Sequence, residues 1–232
     1  DEDWFRPFIN ELALLKMRDS ILGLKLRVYS GVVISWVDMI SDSVMVFKFY
    51  SQGRRGSAKV QIFLILLNTC LQLALVFVVN YTVPNEELLR EMLLVIAQLK
   101  GASDAHKIAS GKKKHDKATM GTLEEFVVSR IFEMFGESIP STLLQCYFLI
   151  SSEEISYIAM GSILTSCLST GFASSCMMFD YDTSLAKRTT NPRFYGFIKD
   201  DGRGLMFCAM VLYSSSFLLM KCIGMSFMYD AN

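Results

Sequence analysis

Two pairs of acidic residues stand inside otherwise apolar stretches of the sequence. Asp38 and Asp42 form the first pair, and Glu133 and Glu137 form the second. A spacing of four residues places both members of a pair on one face of a helix, where carboxylates can bind a cation, relay a proton or hydrogen-bond a lipid headgroup. A charge at mid-membrane depth costs roughly 2.5 to 3.5 kcal/mol on insertion scales. We therefore expect both faces to point away from lipid tails and to carry the function.

Further polar residues and a proline accompany these pairs. Ser35 shares the predicted face of Asp38, and Arg130 shares that of Glu133. Pro140 lacks an N–H and leaves the Gly136 carbonyl without its helical partner, which predicts a kink or a half-helix beside Glu137; a tolerated kink without function is the alternative. The candidate lipid or ion pathway comprises Ser35, Asp38, Asp42, Arg130, Glu133, Glu137, Pro140 and Gln145.

The composition predicts that these residues are positioned by membrane helices. Hydrophobic residues make up 52% of the chain, with 17 Phe and 14 Met, which is more than an ordinary soluble domain tolerates. A spanning helix needs about 20 mostly apolar residues. Five segments come close to this criterion: 28–50, 59–80, 121–150, 155–179 and 204–228. The predicted fold class is all-α, a polytopic membrane helix bundle.

Two shorter segments, 8–26 and 86–100, are amphipathic but too charged or too short to cross a membrane. Helices that lie at the membrane interface fit both segments. Helices packed on other parts of the protein are an equally good interpretation.

An internal duplication relates the two acidic segments. Residues 38–44 align without gaps on residues 133–139, and each acidic helix is followed by a helix with a polar cluster. These clusters are Asn68-Thr69-Cys70-Leu71 and Thr165-Ser166-Cys167-Leu168. Repeats with polar residues near the midplane are typical of membrane transport proteins. The pattern predicts two repeated helical hairpins bearing intramembrane acidic pairs.

The predicted organisation is a single membrane domain over residues 1–232. Its parts are an amphipathic interfacial helix (8–26), a first hairpin repeat (28–80), a basic cytoplasmic loop with a short helix (81–120), a second hairpin repeat (121–179) and a last transmembrane helix (204–228). Most Lys and Arg lie in 1–27, 81–120 and 180–203. The positive-inside rule therefore predicts a multi-pass protein of the plasma membrane or an internal membrane, with a cytoplasmic N-terminus.

Other classes of function find little support in the sequence. Lys plus Arg and Asp plus Glu number 23 each, so net charge gives no argument for a nucleic-acid partner. The six cysteines lie in apolar stretches without a C-x-x-C pair, and the two histidines lie in a polar loop, so we expect no metal and no cofactor. Because G-x-S-x-G, H-E-x-x-H and P-loop motifs are missing from the sequence, we also expect no enzyme.

One segment resembles the signature of the XK-related (Kell-associated) membrane family, approximately R-x-F-E-x-F-x-E-x-x-P-Q-x-x-L-Q-x-Y. The matching residues are Arg130, Phe132, Glu133, Phe135, Glu137, Pro140, Leu144, Gln145 and Tyr147, while Ser141 replaces a glutamine. Asp38 and Asp42 resemble an early D-x-x-x-D pair of the family, and residues 184–188 resemble a later basic segment. The family has more helices than the five spans predicted here, so the chain is either a shortened relative or part of a longer protein.

The resemblance implies phospholipid scrambling, as in some members, or a peptidase-partner or transport role, as in the founding member. Our first hypothesis is that headgroups pass along the polar face while acyl chains stay in the bilayer, with membrane phospholipids as partners. A cation or proton-coupled channel or transporter is the second. The third is a scaffold that binds a partner membrane protein, in which the acidic pairs form internal salt bridges with Arg130 and Lys48.

Overall fold

The computed structural model describes residues 5–110, 119–152, 156–183, 189–198 and 202–230, and it describes side chains from residue 23 to residue 229 within these ranges. This part of the chain is helical and contains no strand, which confirms the all-α class. The helices are α1 (Phe5–Ser51), α2 (Arg55–Asn80), α3 (Asn85–Ile96), α4 (Lys100–Ser110), α5 (Thr122–Glu133), a π-helical turn (Met134–Ser138), α6 (Ile139–Ile150), α7 (Tyr157–Thr183) and α8 (Arg203–Asp230).

The long helices have the character of membrane spans. Three of them are long and apolar enough to cross a bilayer, over Arg55–Asn80, Tyr157–Thr183 and Arg203–Tyr229. α1 carries an exposed apolar stripe along one side, formed by Val33, Val37, Ile40, Val44 and Phe47. The fold is therefore a helical membrane bundle whose apolar outer surface suits lipid.

α1 differs from the sequence-based prediction, because the segment 8–26 and the first span form one continuous helix. Residues 20–30 contain no proline, and a single glycine does not interrupt the backbone hydrogen bonds of a helix. The side chains before residue 23, and with them the predicted amphipathic face, lie outside the described residues.

The segment 81–120 contains two short helices where one was predicted. α4 packs against α1 through a cluster that includes Ala105, Val28 and Val32. Its contacting residues are mostly alanines, which give little hydropathy signal, so the sequence analysis missed this helix. Residues 111–118 and 184–188, which are parts of two of the segments rich in Lys and Arg, lie outside the described residues.

α7 is the central helix and packs along α1, α6 and α8. Gly171 allows the closest approach, since a Cβ at this position would stand 2.7 Å from the backbone N and 2.9 Å from the Cα of Ser215 on α8. Small residues are the usual means by which membrane helices approach closely. This packing holds α7 beside the acidic helix α1.

Two arginines tie the opposite ends of the bundle. Arg27 donates to Asp180 at 2.5 Å and lies over the Phe179 ring, so it joins the start of the first span to the end of α7. Arg54 donates to the hydroxyl and the carbonyl oxygen of Ser151 at 2.6 and 2.9 Å, which joins the turns of the two hairpins. We refer to these ends as the Arg27 end and the Arg54 end.

Candidate functional site: the polar interface between the hairpins

A π-helical turn shapes the second acidic helix where Pro140 was predicted to disturb it. The turn covers Met134–Ser138, and the N–H of Ile139 donates to the Met134 carbonyl five residues back. Because proline cannot donate to the Gly136 carbonyl, the wider turn lets the chain pass it without ending the helix. Gly136 also brings the turn close to α2, since an added Cβ would stand 3.1 Å from Leu71 Cδ1.

The two hairpins exchange hydrogen bonds through their carboxylates. In the first hairpin, Asp38 accepts from Ser138 at 3.0 Å and from Ser166 at 2.5 Å, and both donors belong to the second hairpin. In return, Ser35 donates to Glu133. The acidic residues of each hairpin therefore point toward the other hairpin and away from lipid. This direction is expected, because a carboxylate in contact with hydrocarbon is costly.

Glu133 and Glu137 have different surroundings. Glu133 is held by Arg130 at 2.6 Å in addition to Ser35. Glu137 is 7% exposed, and its Oε2 accepts from Asn68 of α2, while its Oε1 has no partner in the described part of the chain. One carboxyl oxygen of the site is thus left without a hydrogen-bond donor among the described residues.

Asp42 belongs to a closed polar layer, the Asp42 layer, made of Asp42, Gln61, Ser141 and Gln145. Ser141 and Gln145 each donate to Asp42 at 2.8 Å, and Gln61 donates to Ser141 at 2.7 Å. All four residues are at most 1% exposed. The layer therefore closes the polar interface toward the Arg54 end.

Toward the Arg27 end, the interface opens into a cleft, which we call the Glu137 cleft. Its lining includes Asp38, Glu133 and Glu137. Trp36 also lines it and is 39% exposed, next to the apolar stripe of α1. The cleft therefore joins carboxylates inside the bundle to a helix face that suits lipid.

Gln98, in the link between α3 and α4, borders the same cleft. It adopts a left-handed backbone with φ of 58°, which costs a residue other than glycine on the order of 1 kcal/mol or more. Its carbonyl accepts from the Trp36 indole at 3.1 Å, and its side chain donates to Thr69 at 3.3 Å. These bonds hold the wall of the cleft against α1 and α2.

A buried ion cluster, the Lys100 cluster, stands behind that wall and comprises Glu91, Lys100, Asp104, Lys107 and Glu125. Lys100 lies 2.6 Å from Glu91, 2.8 Å from Asp104 and 3.2 Å from Glu125, and its side chain is 4% exposed. Burial disfavours its charge, but the three carboxylates outweigh burial and raise the pKa of Lys100 above 10.5. The lysines also outweigh burial at Glu91 and lower its pKa, whereas burial dominates at Asp104 and raises its pKa.

The structure brings most of the predicted pathway residues together. Those with side chains at the interface are Ser35, Asp38, Asp42, Arg130, Glu133, Glu137 and Gln145. Pro140 affects the site through the backbone, because it has no N–H to donate to the Gly136 carbonyl in the π-helical turn. Among the described side chains, Arg130 forms an ion pair with Glu133, as predicted. The predicted ion pair with Lys48 is not formed among these side chains.

Several neutral donors of the site were not among the predicted pathway residues. They are Gln61, Asn68, Ser138, Ser141 and Ser166. Asn68 and Ser166 had been noted only as members of the two repeated polar clusters. Gln61 and Asn68 are seven residues apart on the most apolar helix, which places them on one face. That spacing was a usable signal, because polar side chains on such a helix face protein.

Comparison with known proteins places the chain in a family. A family model described as XK-related protein matches residues 27–193, which is more than half of the chain. The chain belongs to the XK-related family. The matched region of this XK-related protein runs from Arg27 on α1 past the end of α7 and includes both acidic pairs and the Glu137 cleft. No curated protein and no solved structure matches the chain.

Proposed function

We propose that this XK-related protein moves phospholipids between the two leaflets of a membrane, with headgroups passing along the interface between the hairpins. The observation that carries the proposal is the position of the Glu137 cleft. It combines carboxylates and amides inside the bundle with an opening at Trp36 beside the apolar stripe of α1.

The physical barrier to lipid translocation is the transfer of a charged headgroup into hydrocarbon. A headgroup in the cleft would exchange water for hydrogen bonds to protein groups. Its acyl chains would meanwhile remain on Val33, Val37 and Ile40, which are exposed on the outer side of α1. The polar interface would thus lower the barrier without enclosing the whole lipid.

Passage to the other leaflet requires the Asp42 layer to open. Its bonds from Ser141 and Gln145 to Asp42 involve neutral donors rather than an ion pair. A phospholipid headgroup carries donors or acceptors that can replace such bonds one by one. We therefore propose that α1 and α6 separate at this layer during transport.

The test is lipid flipping in proteoliposomes that contain acyl-labelled fluorescent phospholipids. We expect flipping faster than in empty vesicles and a clear loss of rate in Glu133→Gln/Glu137→Gln protein, because the cleft loses two charges. Glu86→Gln/Glu87→Gln is the matched control, since both side chains are exposed on α3. Rates equal to empty vesicles, or full activity in the first double variant, would contradict the proposal.

A cation or proton pathway is the second candidate. It is favoured by the alternation of carboxylates and serine hydroxyls along the interface, from Glu133 and Ser35 to Asp38 and Ser138. Such an arrangement suits a proton relay. Ion flux that is lost in Asp38→Asn or Asp42→Asn protein, without any lipid movement, would support this candidate over scrambling.

We also propose that the protein crosses the membrane several times, with the Arg27 end in the cytoplasm, and that it catalyses no covalent chemistry. The start of the first span and the end of α7 meet at this end, and the sequence segments that adjoin them are rich in Lys and Arg, whereas the turn at the opposite end holds Arg54 and Arg55. The positive-inside rule is the basis for this orientation.

A further inference from the structure

The carboxylates of the Glu137 cleft differ in how completely they are hydrogen-bonded. Both oxygens of Asp38 accept serine hydroxyls, and both oxygens of Glu133 have donors from Ser35 and Arg130. Glu137 accepts only from Asn68, through Oε2. Glu137 lines the cleft, and its Oε1 is shielded from solvent and has no donor in the described part of the chain.

A buried carboxyl oxygen without a hydrogen-bond partner is costly, and a donor that enters the cleft would remove this cost at Oε1. The amide oxygens of Gln61 and Gln145 also have no donor among the described residues. They are neutral, however, and lie in the closed Asp42 layer. Among these three unpaired oxygens, Glu137 Oε1 is therefore the one that belongs to a residue lining the cleft.

The charge around Oε1 selects a cation. Asp38 and Glu133 add negative charge to the cleft, and Arg130 is paired with Glu133 at 2.6 Å. Lys100 lines the cleft but is held by the three carboxylates of its own cluster. The cleft therefore carries an excess of negative charge that is not balanced by a free cation within its described lining.

The other groups in the cleft indicate which kind of cation it can bind. A quaternary ammonium has no N–H and is normally held by the faces of several aromatic rings. The aromatic side chains in the lining are Trp36 and Phe126, and the Arg130 guanidinium lies over the Phe126 ring at 5.0 Å. A metal ion needs several ligating side chains, and the described residues offer no group of three or more His, Cys, Asp or Glu with metal-site geometry.

We infer that the Glu137 cleft binds a primary ammonium group, which donates a charge-assisted hydrogen bond to Glu137 Oε1, in preference to a quaternary ammonium. Phosphatidylethanolamine and phosphatidylserine carry this group in their headgroups, and free ethanolamine carries it in solution. The lipid form of the inference rests on the proposed scrambling function, whereas binding of the free amine does not.

The first experiment measures binding to the full chain in detergent, by ligand-observed NMR with ethanolamine and with choline as probes. We expect ethanolamine to bind about tenfold more tightly, which corresponds to about 1.4 kcal/mol. Glu137→Gln should abolish the difference, because the amide keeps the size of the side chain but not its charge. Glu87→Gln makes the same change at an exposed position and should preserve the difference. Equal affinities on the unmodified protein would overturn the inference, and this comparison does not depend on whether Glu137→Gln folds.

The second experiment compares acyl-labelled phosphatidylethanolamine and phosphatidylcholine in the flipping assay. Faster flipping of phosphatidylethanolamine, with competition by free ethanolamine, would place the lipid headgroup in the cleft. Equal flipping of both lipids, well above empty vesicles, would overturn the lipid form while the proposed function stands. Preferential ethanolamine binding without flipping of either lipid would refute scrambling and identify a site for a soluble amine.

Discussion

Asp42 and Glu137 hold corresponding positions in the two repeats, yet their side chains have opposite hydrogen-bond states. Asp42 accepts from Ser141 and Gln145 inside a layer without exposed surface. Glu137 lies within a π-helical turn that its counterpart does not have, and one of its oxygens has no donor in the described part of the chain. We therefore propose different roles for these two aligned carboxyl groups, closure at Asp42 and binding at Glu137.

Removal of the Asp42 carboxylate is expected to destabilise the closed layer. In Asp42→Ala protein, the donors Ser141 and Gln145 lose a buried acceptor, so the free energy of unfolding should fall by about 1 to 3 kcal/mol. Thermal unfolding in detergent measures the effect. Ser43→Ala, on the exposed side of the same helix, is the control. Equal unfolding temperatures for the two variants would show that the layer contributes nothing to stability.

At the scale of helices, the position of α7 allows Ser166 to donate its hydrogen bond to Asp38. The approach of α7 to α8 at Gly171 and Ser215 leaves no room for a side chain at Gly171. Gly161 lies on the same helix but faces open space, with no atom within 4 Å of an added Cβ. Substitution of each glycine by alanine therefore separates the effect of close helix packing from the effect of helix propensity.

Gly171→Ala should impair folding although alanine is the better helix former, because the new methyl group meets the Ser215 backbone, which cannot move independently of α8. Gly161→Ala should be neutral or slightly stabilising. Size-exclusion chromatography and thermal unfolding of the two variants measure the difference. An elution volume and an unfolding temperature of the Gly171→Ala protein equal to those of the wild type would contradict the close packing of α7 against α8 at Gly171.

The Lys100 cluster joins α3, α4 and α5 and offers a second test at this scale. Lys100→Met leaves Glu91, Asp104 and Glu125 buried without their main cation, and we expect a loss of about 3 to 5 kcal/mol. Lys107→Met is the control, since its side chain is 26% exposed and a smaller loss is expected. Chemical unfolding followed by tryptophan fluorescence is the measurement. Equal losses in both variants would contradict the central place of Lys100.

The pH dependence of this loss follows from the raised pKa of Lys100. A lysine whose pKa is higher in the folded state stabilises that state fully below its usual value of 10.5, and the contribution is lost as pH rises through the folded value. The stability difference between wild type and Lys100→Met should therefore be constant from neutral pH to about that value and shrink above it. A difference that stays unchanged as pH rises well above 10.5 would contradict this assignment.

For the whole molecule, the proposed orientation in the membrane is a property that can be tested directly. Gln52 is exposed in the turn at the Arg54 end, and Glu86 is exposed at the Arg27 end. The positive-inside rule predicts that these two positions lie on opposite sides, with Glu86 in the cytoplasm.

Impermeant maleimide should label Gln52→Cys on intact cells when the protein is at the plasma membrane, and it should label Glu86→Cys only after permeabilisation. The wild type, with exposed Cys70 and Cys208 on helix surfaces, gives the background. The reverse labelling pattern would invert the proposed orientation, and labelling of both positions on intact cells would contradict the hairpin across the membrane.

The sequence by itself determined the helical class, the inward direction of the acidic pairs and the irregularity before Pro140. These features depend on local rules, namely a helical period, the cost of charge in hydrocarbon and the missing N–H of proline. Only the tertiary structure decided that Asp42 is enclosed by Gln61, Ser141 and Gln145, that α4 packs on α1, and that Glu137 keeps one oxygen without a donor. Each of these depends on contacts between residues far apart in the chain, and local rules do not encode which helix supplies a donor.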